Sequence, residues 1–416
     1  MSALDPEAVD PEALGVRAYA MIAELAAISA EPGRLVRLFL SPEHRRAADL
    51  VARWMQAAGL LVSEDALGTV RGHLGSSPRR LLIGSHIDTV IDAGKYDGPL
   101  GVIAGILAAG HFASVKAKLA FGIDVLAFGD EEGSRFPATM TSSSACASVF
   151  EPDALTAADA NGVTLNAALR AYGKSPQDIA AAAYLPRNAA GYVEVHIEQG
   201  PVLEAKGQPL GIVTGIVGQS RLRVTVTGEA GHAGTVPMNL RRDPLAGAAE
   251  MTLALETIAR EHPEDGMVGT VGRIEAPPGA VNIIPGQVMF TVDLRALTNA
   301  LRLAAVERFQ DQARRVATAR GLKVSIELFH DIATAHCAPA LQDALAASVT
   351  ELGHTPIRLP SGAGHDAQIM SRLCPSVMLF VRCRGGISHN PAEFASVSDM
   401  GLAIAALIRF IKRFQP

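Results

Sequence analysis

Five residues of metal-binding types occur in five separate polar contexts, each where a strand is predicted to end or where a loop follows one. They are His86, Asp97, Glu132, His196 and His389. Two histidines and one carboxylate can hold one divalent ion, and a second set of three requires one carboxylate to be shared between two ions. The adjacent Glu131 is then available as a base that takes a proton from water. This combination predicts metal-assisted hydrolysis.

Two of these contexts also have purely structural explanations. His86 and Asp88 lie on the same side of an extended segment, so Asp88 is predicted to orient the imidazole, unless the pair only ends a strand in a turn. Asp97 comes directly before a predicted helix, where a lone aspartate is more often an N-cap. Its combination with His86 and Glu132 favours a carboxylate shared by two ions.

Three consecutive carboxylates, Asp130, Glu131 and Glu132, follow an apolar strand. Such a cluster is costly to bury unless cations neutralise it. The alternative is a solvated acidic loop. Because Glu131 and Glu132 are neighbours in an extended segment, we expect them to point in different directions, one toward metal and the other toward water or substrate. The sequence leaves open which of the two faces the metal.

Other polar residues suggest contacts with a substrate. His232 lies in a segment that is separate from the predicted metal strands, and this favours substrate contact over metal binding. His365, in a glycine-rich loop, is compatible with either role. Arg295 ends an alternating strand and could bind a carboxylate in bidentate geometry, although a surface charge is the alternative. Six further histidines are predicted to lie at the surface without a role, namely His44, His73, His111, His262, His330 and His354.

The pattern of elements predicts two domains. Up to residue 216, helices alternate with apolar strands whose ends carry polar residues, as in an open α/β sheet with a ligand crevice. Residues 217–332 follow the order β-α-β-β-α-β, in which Val268 to Ile274 is one of the strands, and predict a small α+β domain. Polar motifs resume at Ser361. We therefore predict a catalytic domain of residues 1–216 and 333–416 with an inserted domain of residues 217–332.

Composition excludes several classes of protein. The 416 residues are 49% hydrophobic and carry a formal net charge of −5, so no basic excess favours nucleic acid or an anionic membrane. The four cysteines lack paired spacing and predict reduced thiols and a cytoplasmic protein. The first residues, with Asp5, Glu7, Asp10 and Glu12, are acidic where a signal peptide is basic. The most apolar stretch, 100–115, is short for a membrane span.

Together the motifs resemble the hydantoinase/carbamoylase branch of the M20 metallopeptidase-like family, from about residue 80 to the C-terminus. They are found in the family's order, at His86–Asp88, Tyr96–Gly98, Glu131–Glu132, His196–Pro201 and Ile387–His389. The resemblance implies a di-metal α/β domain with a mixed sheet flanked by helices. It also implies an inserted ferredoxin-like lid through which the chain forms a homodimer.

The resemblance further implies a role for each matching residue. His86, Asp97 and His196 would hold one divalent ion, and Asp97, Glu132 and His389 the other, with two Zn²⁺ or Mn²⁺ ions per subunit. Glu131 would be the general base, assisted by Asp88 and by His232. The residues implied in substrate binding are Gln199, His232, Asn282, Arg295, Gly364 and His365.

The reaction implied is hydrolysis of a ureido (carbamoyl) C–N bond of a small carboxylate. Allantoate is the expected substrate, and an N-carbamoyl-L-amino acid is the alternative. The chain departs from the family pattern at Thr141–Ala145, where a Gly-Ser-Arg-like run would be expected. No role is assigned to that run.

Overall fold

The protein is described by a computed structural model that covers residues 9–262 and 266–416. Asp5 and Glu7, on which part of the prediction about the N-terminus depends, lie outside the described residues. The chain divides into two compact units, one formed by Met1–Thr214 with His336–Pro416 and the other by Gly215–Ala335. The catalytic and lid roles that the sequence suggests for these units stay predictions.

The first unit is built on a nine-stranded mixed sheet. The strands of this sheet are β1 (Leu61–Glu64), β2 (Val70–Leu74), β3 (Arg80–His86), β4 (Gly122–Phe128), β5 (Ala189–Ile197), β6 (Leu210–Ile216), β14 (Ala335–His336), β15 (Ile357–Ser361) and β16 (Ser376–Val381). Their order is β1-β2-β4-β3-β5-β16-β6-β14, with β15 paired to β6. The four central strands β4, β3, β5 and β16 are parallel. Since parallel strands end at the same edge, the polar residues that follow them are brought together there.

Helices surround this sheet. They are α1 (Pro11–Ala26), α2 (Pro42–Ala57), α3 (Pro99–Ser114), α4 (Thr141–Cys146), α5 (Leu165–Ala171), α6 (Val202–Ala205), α9 (Pro339–Thr350), α10 (Asp366–Met370) and α11 (Val397–Arg413). The helix α3 packs on β3 and against α1 and α11. It is apolar on nearly every side because it is covered on nearly every side, with Leu100, Ile103 and Ala104 all fully buried.

The second unit is an antiparallel sheet covered on one face by two helices, α7 (Pro244–Arg260) and α8 (Asn299–Ala319). Its strands are β7 (Gly218–Thr227), β9 (Val268–Thr270), β10 (Ile274–Glu275), β12 (Gln287–Ala296) and β13 (Lys323–Ile332), and a separate pair consists of β8 (Gly231–His232) and β11 (Ile283–Ile284). Leu222, Val224 and Val226 are buried beneath the helices, as their alternation predicts. The predicted fold class, a mixed α/β sheet with an inserted α+β unit, is confirmed.

The strand predicted over Val268 to Ile274 is wrong as one element, because it is divided into β9 and β10. Both pieces pair with β12, where Thr270 faces Asp293 and Ile274 faces Phe290. Between these two pairs, the chain of β9 and β10 advances by four residues while β12 advances by three. Gly272 lies in the interruption, where a residue without a side chain allows such an irregularity.

Among the described residues, no helix is both long enough and apolar enough to span a membrane. The four cysteines are free and buried.

Candidate metal centre

The Asp97 carboxylate lies between two groups of candidate ligands. Its Oδ1 is 3.1 Å from His196 Nε2 and 3.6 Å from His86 Nε2, while its Oδ2 is 3.4 Å from His389 Nε2. The N-cap alternative for Asp97 is wrong, since Gly98 occupies the cap position of α3 and no side chain caps that helix end. One oxygen of Asp97 instead faces His86 and His196, and the other faces His389.

The two neighbouring glutamates have different partners. Glu132 Oε2 is 3.4 Å from His389 Nε2, and Glu131 Oε2 is 3.9 Å from His86 Nε2. Asp97, Glu132 and His389 form one compact group of possible ligands, and His86, Asp97 and His196 form another. A third group joins His86 to both glutamates, so Glu131 also faces the space between the sets. All six residues lie at the carboxyl edge of the parallel strands or in the loops that follow it.

The donor atoms are suited to divalent cations. Two ligands that are each about 2.0–2.2 Å from a tetrahedral ion are about 3.3–3.6 Å apart, which is close to the separations found here. The buried Nε2 atoms of His86 and His196 have no well-formed hydrogen bond within the described part of the chain, although Asp97 lies nearby. A buried polar atom without a partner is costly, and a metal ion would supply one.

The pKa shifts of the residues in the centre also indicate that a bound cation would stabilise it. Burial by itself would raise the pKa of Asp97, but His196, His389 and His86 hold it well below its usual range. Burial and the nearby Asp97 raise the pKa of Glu132 to about 7. The hydrogen bond to Asp97 raises the pKa of His389 to about 9. The raised pKa values of Glu132 and His389 reflect the negative charge concentrated around Asp97, which divalent ions would neutralise.

Two buried carboxylates fix the loop of Glu131 and Glu132. Asp88 Oδ1 is 3.3 Å from His86 Nδ1, and its carboxylate also accepts the backbone N–H groups of Glu131 and Glu132, each at 3.2 Å. Asp130 accepts backbone N–H groups at the start of α4, from Thr141 at 2.7 Å and Ser142 at 3.0 Å, as well as both hydroxyl groups. The run that departs from the family pattern therefore holds Asp130.

A second network joins Asp97 to the loop that carries His389. Gln199 Nε2 donates to Asp97 Oδ2 at 2.8 Å, and the Ser388 hydroxyl lies 2.5 Å from the same oxygen. Gln199 and His389 both have positive φ, at 56° and 54°, a conformation that non-glycine residues adopt mainly where their surroundings enforce it. Glu393 binds the same network and is buried.

Ser388, Glu393 and Glu194 belong to the surroundings of the centre but are not among the residues predicted from the sequence. Ser388 and Glu393 flank His389 closely, and a hydroxyl and a carboxylate beside a candidate ligand are a usable signal. Glu194 precedes His196 by two residues on the same strand face. It accepts hydrogen bonds from Ser85 Oγ and Tyr192 Oη, both at 3.0 Å.

His365 lies behind the first set of ligands. Its ring packs edge-on against that of His196 at 4.5 Å between centroids, and its Nε2 is 2.8 Å from Ser361 Oγ. Burial holds the pKa of His365 well below its usual range, and the neighbouring His196 acts in the same direction. Gly364, directly before it, is half-buried next to Met140. The substrate role predicted for His365 and Gly364 stays a prediction.

The second unit holds the other predicted substrate residues. His232 is exposed and pairs with Ile283 across β8 and β11, next to Asn282. The Gly234 N–H donates to His232 Nδ1 at 3.0 Å, which leaves Nε2 to carry the hydrogen of the neutral ring. Arg295 binds Asp293 through Nε at 3.0 Å and Nη2 at 3.1 Å.

The prediction that His44 and His73 are unremarkable surface residues is wrong. His44 is fully buried on the inner face of α2, with its Nδ1 2.9 Å from Tyr172 Oη. His73 Nδ1 lies 3.0 Å from the buried Asp124. Both side chains are held by polar partners that are distant in sequence, which local composition does not report.

Comparison with known proteins places this chain in a family. The family described as "Peptidase family M20/M25/M40" matches this chain over residues 82–413. An allantoate deiminase of Arabidopsis thaliana is 41% identical over 432 residues, or 95% of this chain and 81% of that relative. An N-carbamoyl-L-amino acid amidohydrolase of Geobacillus stearothermophilus is 40% identical over 397 residues, or 94% of this chain and 97% of that relative.

Solved structures agree with the sequence comparison. The crystal structure of an amidase of the hydantoinase/carbamoylase family from Burkholderia multivorans superposes with a TM-score of 0.86 at 32% identity, over 97% of each chain. These matches confirm the resemblance drawn from the motifs. The chain therefore belongs to the M20/M25/M40 peptidase family, and within it is a hydrolase of the amidohydrolase type, acting on C–N bonds other than peptide bonds.

Proposed function

We propose that this protein is an allantoate amidohydrolase that cleaves a ureido C–N bond of allantoate. Water is consumed, and ammonia, CO₂ and ureidoglycine are released, as a step in purine breakdown. The observation that carries the proposal is the Asp97 carboxylate, whose two oxygens face different sets of candidate ligands with Glu131 beside them. The similarity to allantoate deiminases over almost the whole chain supports this choice of substrate.

The ligand sets proposed are His86, Asp97 and His196 for one ion and Asp97, Glu132 and His389 for the other. When bound, the two ions would lower the pKa of water and polarise the carbonyl group of the substrate. His, Asp and Glu ligands suit both Zn²⁺ and Mn²⁺. Glu131 takes the proton of the attacking water and passes it to the leaving nitrogen, while Asp88 keeps His86 and the glutamate loop in place.

Four other side chains are proposed to bind the substrate. His232 donates its Nε2–H to the oxyanion that forms on the ureido carbon, since its Nδ1 is occupied by Gly234. Arg295 and Asn282 bind the carboxylate and ureido groups. Gln199 Oε1 is buried and lacks a hydrogen-bond donor among the described residues, so it can accept a ureido N–H.

The protein is further proposed to be a homodimer that associates through its second unit. The strand β13 is an edge of its sheet, and Leu328 and Phe329 on it are 46% and 43% exposed. A ten-residue edge with exposed apolar side chains pairs readily with another strand, and a second copy across a two-fold axis would cover it.

An N-carbamoyl-L-amino acid is the alternative substrate. It requires the same centre, and a carbamoyl-amino acid amidohydrolase is nearly as similar to this chain as the plant enzyme. The test is a panel of allantoate, N-carbamoyl-L-amino acids and dipeptides with metal-reconstituted protein. Ammonia release would be followed for the first two classes and amine release for the third. The Glu131→Gln variant, prepared in parallel, controls for contaminating activity.

We expect the highest kcat/KM for allantoate. A preference for a carbamoyl amino acid would establish the alternative. Hydrolysis of dipeptides alone would contradict both.

A further inference from the structure

We propose that Glu393 is a positioning residue that fixes the distance between Asp97 and His389, and thereby assembles the second ligand set. The inference rests on the two-ion centre of the proposed function. Glu393 does not belong to either set of candidate ligands. It acts through the backbone that carries Asp97 and through the loop that carries His389.

The first attachment is to the backbone of the Asp97 loop. Glu393 Oε1 accepts the N–H groups of Tyr96 at 2.8 Å and of Asp97 at 3.1 Å, and all three groups are buried. Two consecutive amides bound by one oxygen fix the orientation of the peptide planes on both sides of the Tyr96 Cα. The direction in which the Asp97 side chain leaves the backbone is therefore set by a residue almost three hundred positions away.

The second attachment is to the side chains of the centre. Glu393 Oε2 lies 3.2 Å from the Ser388 hydroxyl, which is itself 2.5 Å from Asp97 Oδ2. The hydroxyl has one hydrogen and donates it to one of these carboxylates at a time, and it accepts from Gln199 Nε2 at 3.2 Å. Ser388 directly precedes His389. One carboxylate thus binds both the Asp97 loop and the His389 loop.

The surroundings of Glu393 leave little room for another arrangement. A Cβ atom at Gly94 would lie 2.2 Å from Glu393 Cδ, so the loop before Asp97 is shaped around this side chain. The Glu393 N–H donates to Asn390 O at 3.0 Å, which closes the turn that returns Glu393 toward His389. Only 4% of Glu393 is exposed. If its oxygen were removed, two buried N–H groups would lose their acceptor.

Three substitutions at Glu393 distinguish the effect of its hydrogen bonds from the effect of its charge. Glu393→Gln keeps an oxygen that accepts both amides and an NH₂ group that donates to Ser388, but it removes the charge. Glu393→Asp keeps the charge but falls one methylene short of the amides. Glu393→Met keeps the size and has no comparable acceptor. We expect near wild-type behaviour from the Gln variant and impaired behaviour from the other two.

The measurement is titration of the metal-free full-length protein with Mn²⁺ by calorimetry and electron paramagnetic resonance. In the wild type and in Glu393→Gln we expect two ions per subunit and the spectrum of a coupled pair. We expect the ion held by Asp97, Glu132 and His389 to be the weaker-bound one, because His389 is half exposed whereas His86 and His196 are buried. In Glu393→Asp and Glu393→Met this ion should lose about 10- to 100-fold in affinity, the usual effect of losing a residue that orients metal ligands. The stronger-bound ion should change less, and the coupled spectrum should weaken.

Asp65→Ala is the matched control. Asp65 is also a shielded carboxylate that accepts two backbone N–H groups, those of Leu67 and Thr69, but these belong to a turn without candidate ligands. This variant should lose thermal stability and keep both Mn²⁺ affinities. If Glu393→Met does not fold, the contrast between the Gln and Asp variants decides the question.

Several results would overturn the inference. These are a Glu393→Gln variant as impaired as Glu393→Asp, equal losses for both ions, or an unchanged second affinity in Glu393→Asp. If the wild type itself binds fewer than two Mn²⁺ ions per subunit, the two-ion centre of the proposed function is refuted, and the role of Glu393 with it. If the wild type binds two ions and the Glu393 variants bind both with unchanged affinity, only the proposed role of Glu393 is refuted, and the two-ion centre stands.

Discussion

Glu131 and Glu132 are adjacent in sequence, yet their carboxylates have different neighbours. Glu132 approaches His389 at 3.4 Å, whereas the nearest histidine nitrogen to Glu131 belongs to His86, at 3.9 Å. Burial raises the pKa of Glu131 well above its usual range, with His86 opposing and Glu132 adding to the rise. The direction of this shift is the one that favours taking up a proton from water.

Changing Glu131 to Gln should leave the metal content near that of the wild type and reduce kcat by at least about a hundredfold, the range for loss of a general base. Glu132→Gln is the matched control and should lose an ion, because Glu132 belongs to the set around His389. Metal analysis of dialysed protein and steady-state kinetics measure the two effects. The opposite pattern, with metal lost from the Glu131 variant only, would reverse the two assignments.

Changing Arg295 to Ala should weaken the binding of carboxylate substrates by about 2 to 5 kcal/mol, the cost of leaving a buried charge without its partner. Its side chain is 25% exposed and bound to Asp293, which Arg221 also contacts, so the fold should tolerate the change. Arg223→Ala is the control, since Arg223 pairs with Glu327 on the same sheet and has no proposed substrate role. If both variants have the same KM, Arg295 does not bind the substrate and is a surface charge.

At the scale of elements, the centre is built from loops whose backbone N–H groups donate hydrogen bonds to buried carboxylates. Asp88 binds the amides of Glu131 and Glu132, and Glu393 binds those of Tyr96 and Asp97. The parallel strands bring these loops to one edge of the sheet. Hydrogen bonds to consecutive amides then fix the direction of each ligand, because sheet geometry alone does not orient a loop.

Gly98, between Asp97 and α3, is a point at which this assembly cannot accept a side chain. Its φ is +80°, and a Cβ atom would lie 2.5 Å from the ring of His86. With a ψ of −61°, Gly98 also lies outside the left-handed helical region. Gly98→Ala should therefore displace His86, lower the metal affinity and destabilise the fold by more than the about 1–3 kcal/mol that a sparsely populated backbone conformation costs alone.

The matched control for this change is Gly162→Ala. Gly162 has a φ of +78° and no atom within 4 Å of the added methyl group, so only the backbone cost remains. Thermal melting and Mn²⁺ titration compare the two variants. Identical losses in both would mean that the contact with His86 has no effect.

At the scale of the whole molecule, the candidate ligands lie in the first unit and His232, Asn282 and Arg295 lie in the second. The proposed chemistry needs groups from both units. The exposed edge of β13 favours association of two copies, which offers a route by which one chain supplies residues to another.

We expect His232 to serve the active site of the partner in a homodimer, and subunit exchange tests this. Glu131→Gln and His232→Ala should each be inactive alone. A mixed dimer would hold one site with both changes and one site with neither. Equal mixing with random exchange should therefore restore activity to about a quarter of wild type, because half of the dimers are mixed. No recovery despite demonstrated exchange would show that His232 serves its own chain.

The sequence by itself determined the classes of element and the set of possible ligands. Apolar strands that end in polar residues, such as Arg80–His86, indicate an open α/β sheet because burial on both faces excludes polar residues until the strand leaves the core. Regular alternation at Leu222, Val224 and Val226 specified the second sheet for the related reason that one face is covered. The five motifs that occur in the family's order, from His86–Asp88 to Ile387–His389, were together sufficient to indicate the family.

The tertiary structure alone decided which of those residues lie together. Whether Asp97 caps a helix or lies between two groups of candidate ligands depends on side-chain direction, and so do the different neighbours of Glu131 and Glu132. The roles of Asp130 and Glu393 depend on backbone amides, which carry no sequence signal of their own. Glu393 and Asp97 are almost three hundred residues apart, and only the folded sheet brings the acceptor of one to the amide of the other.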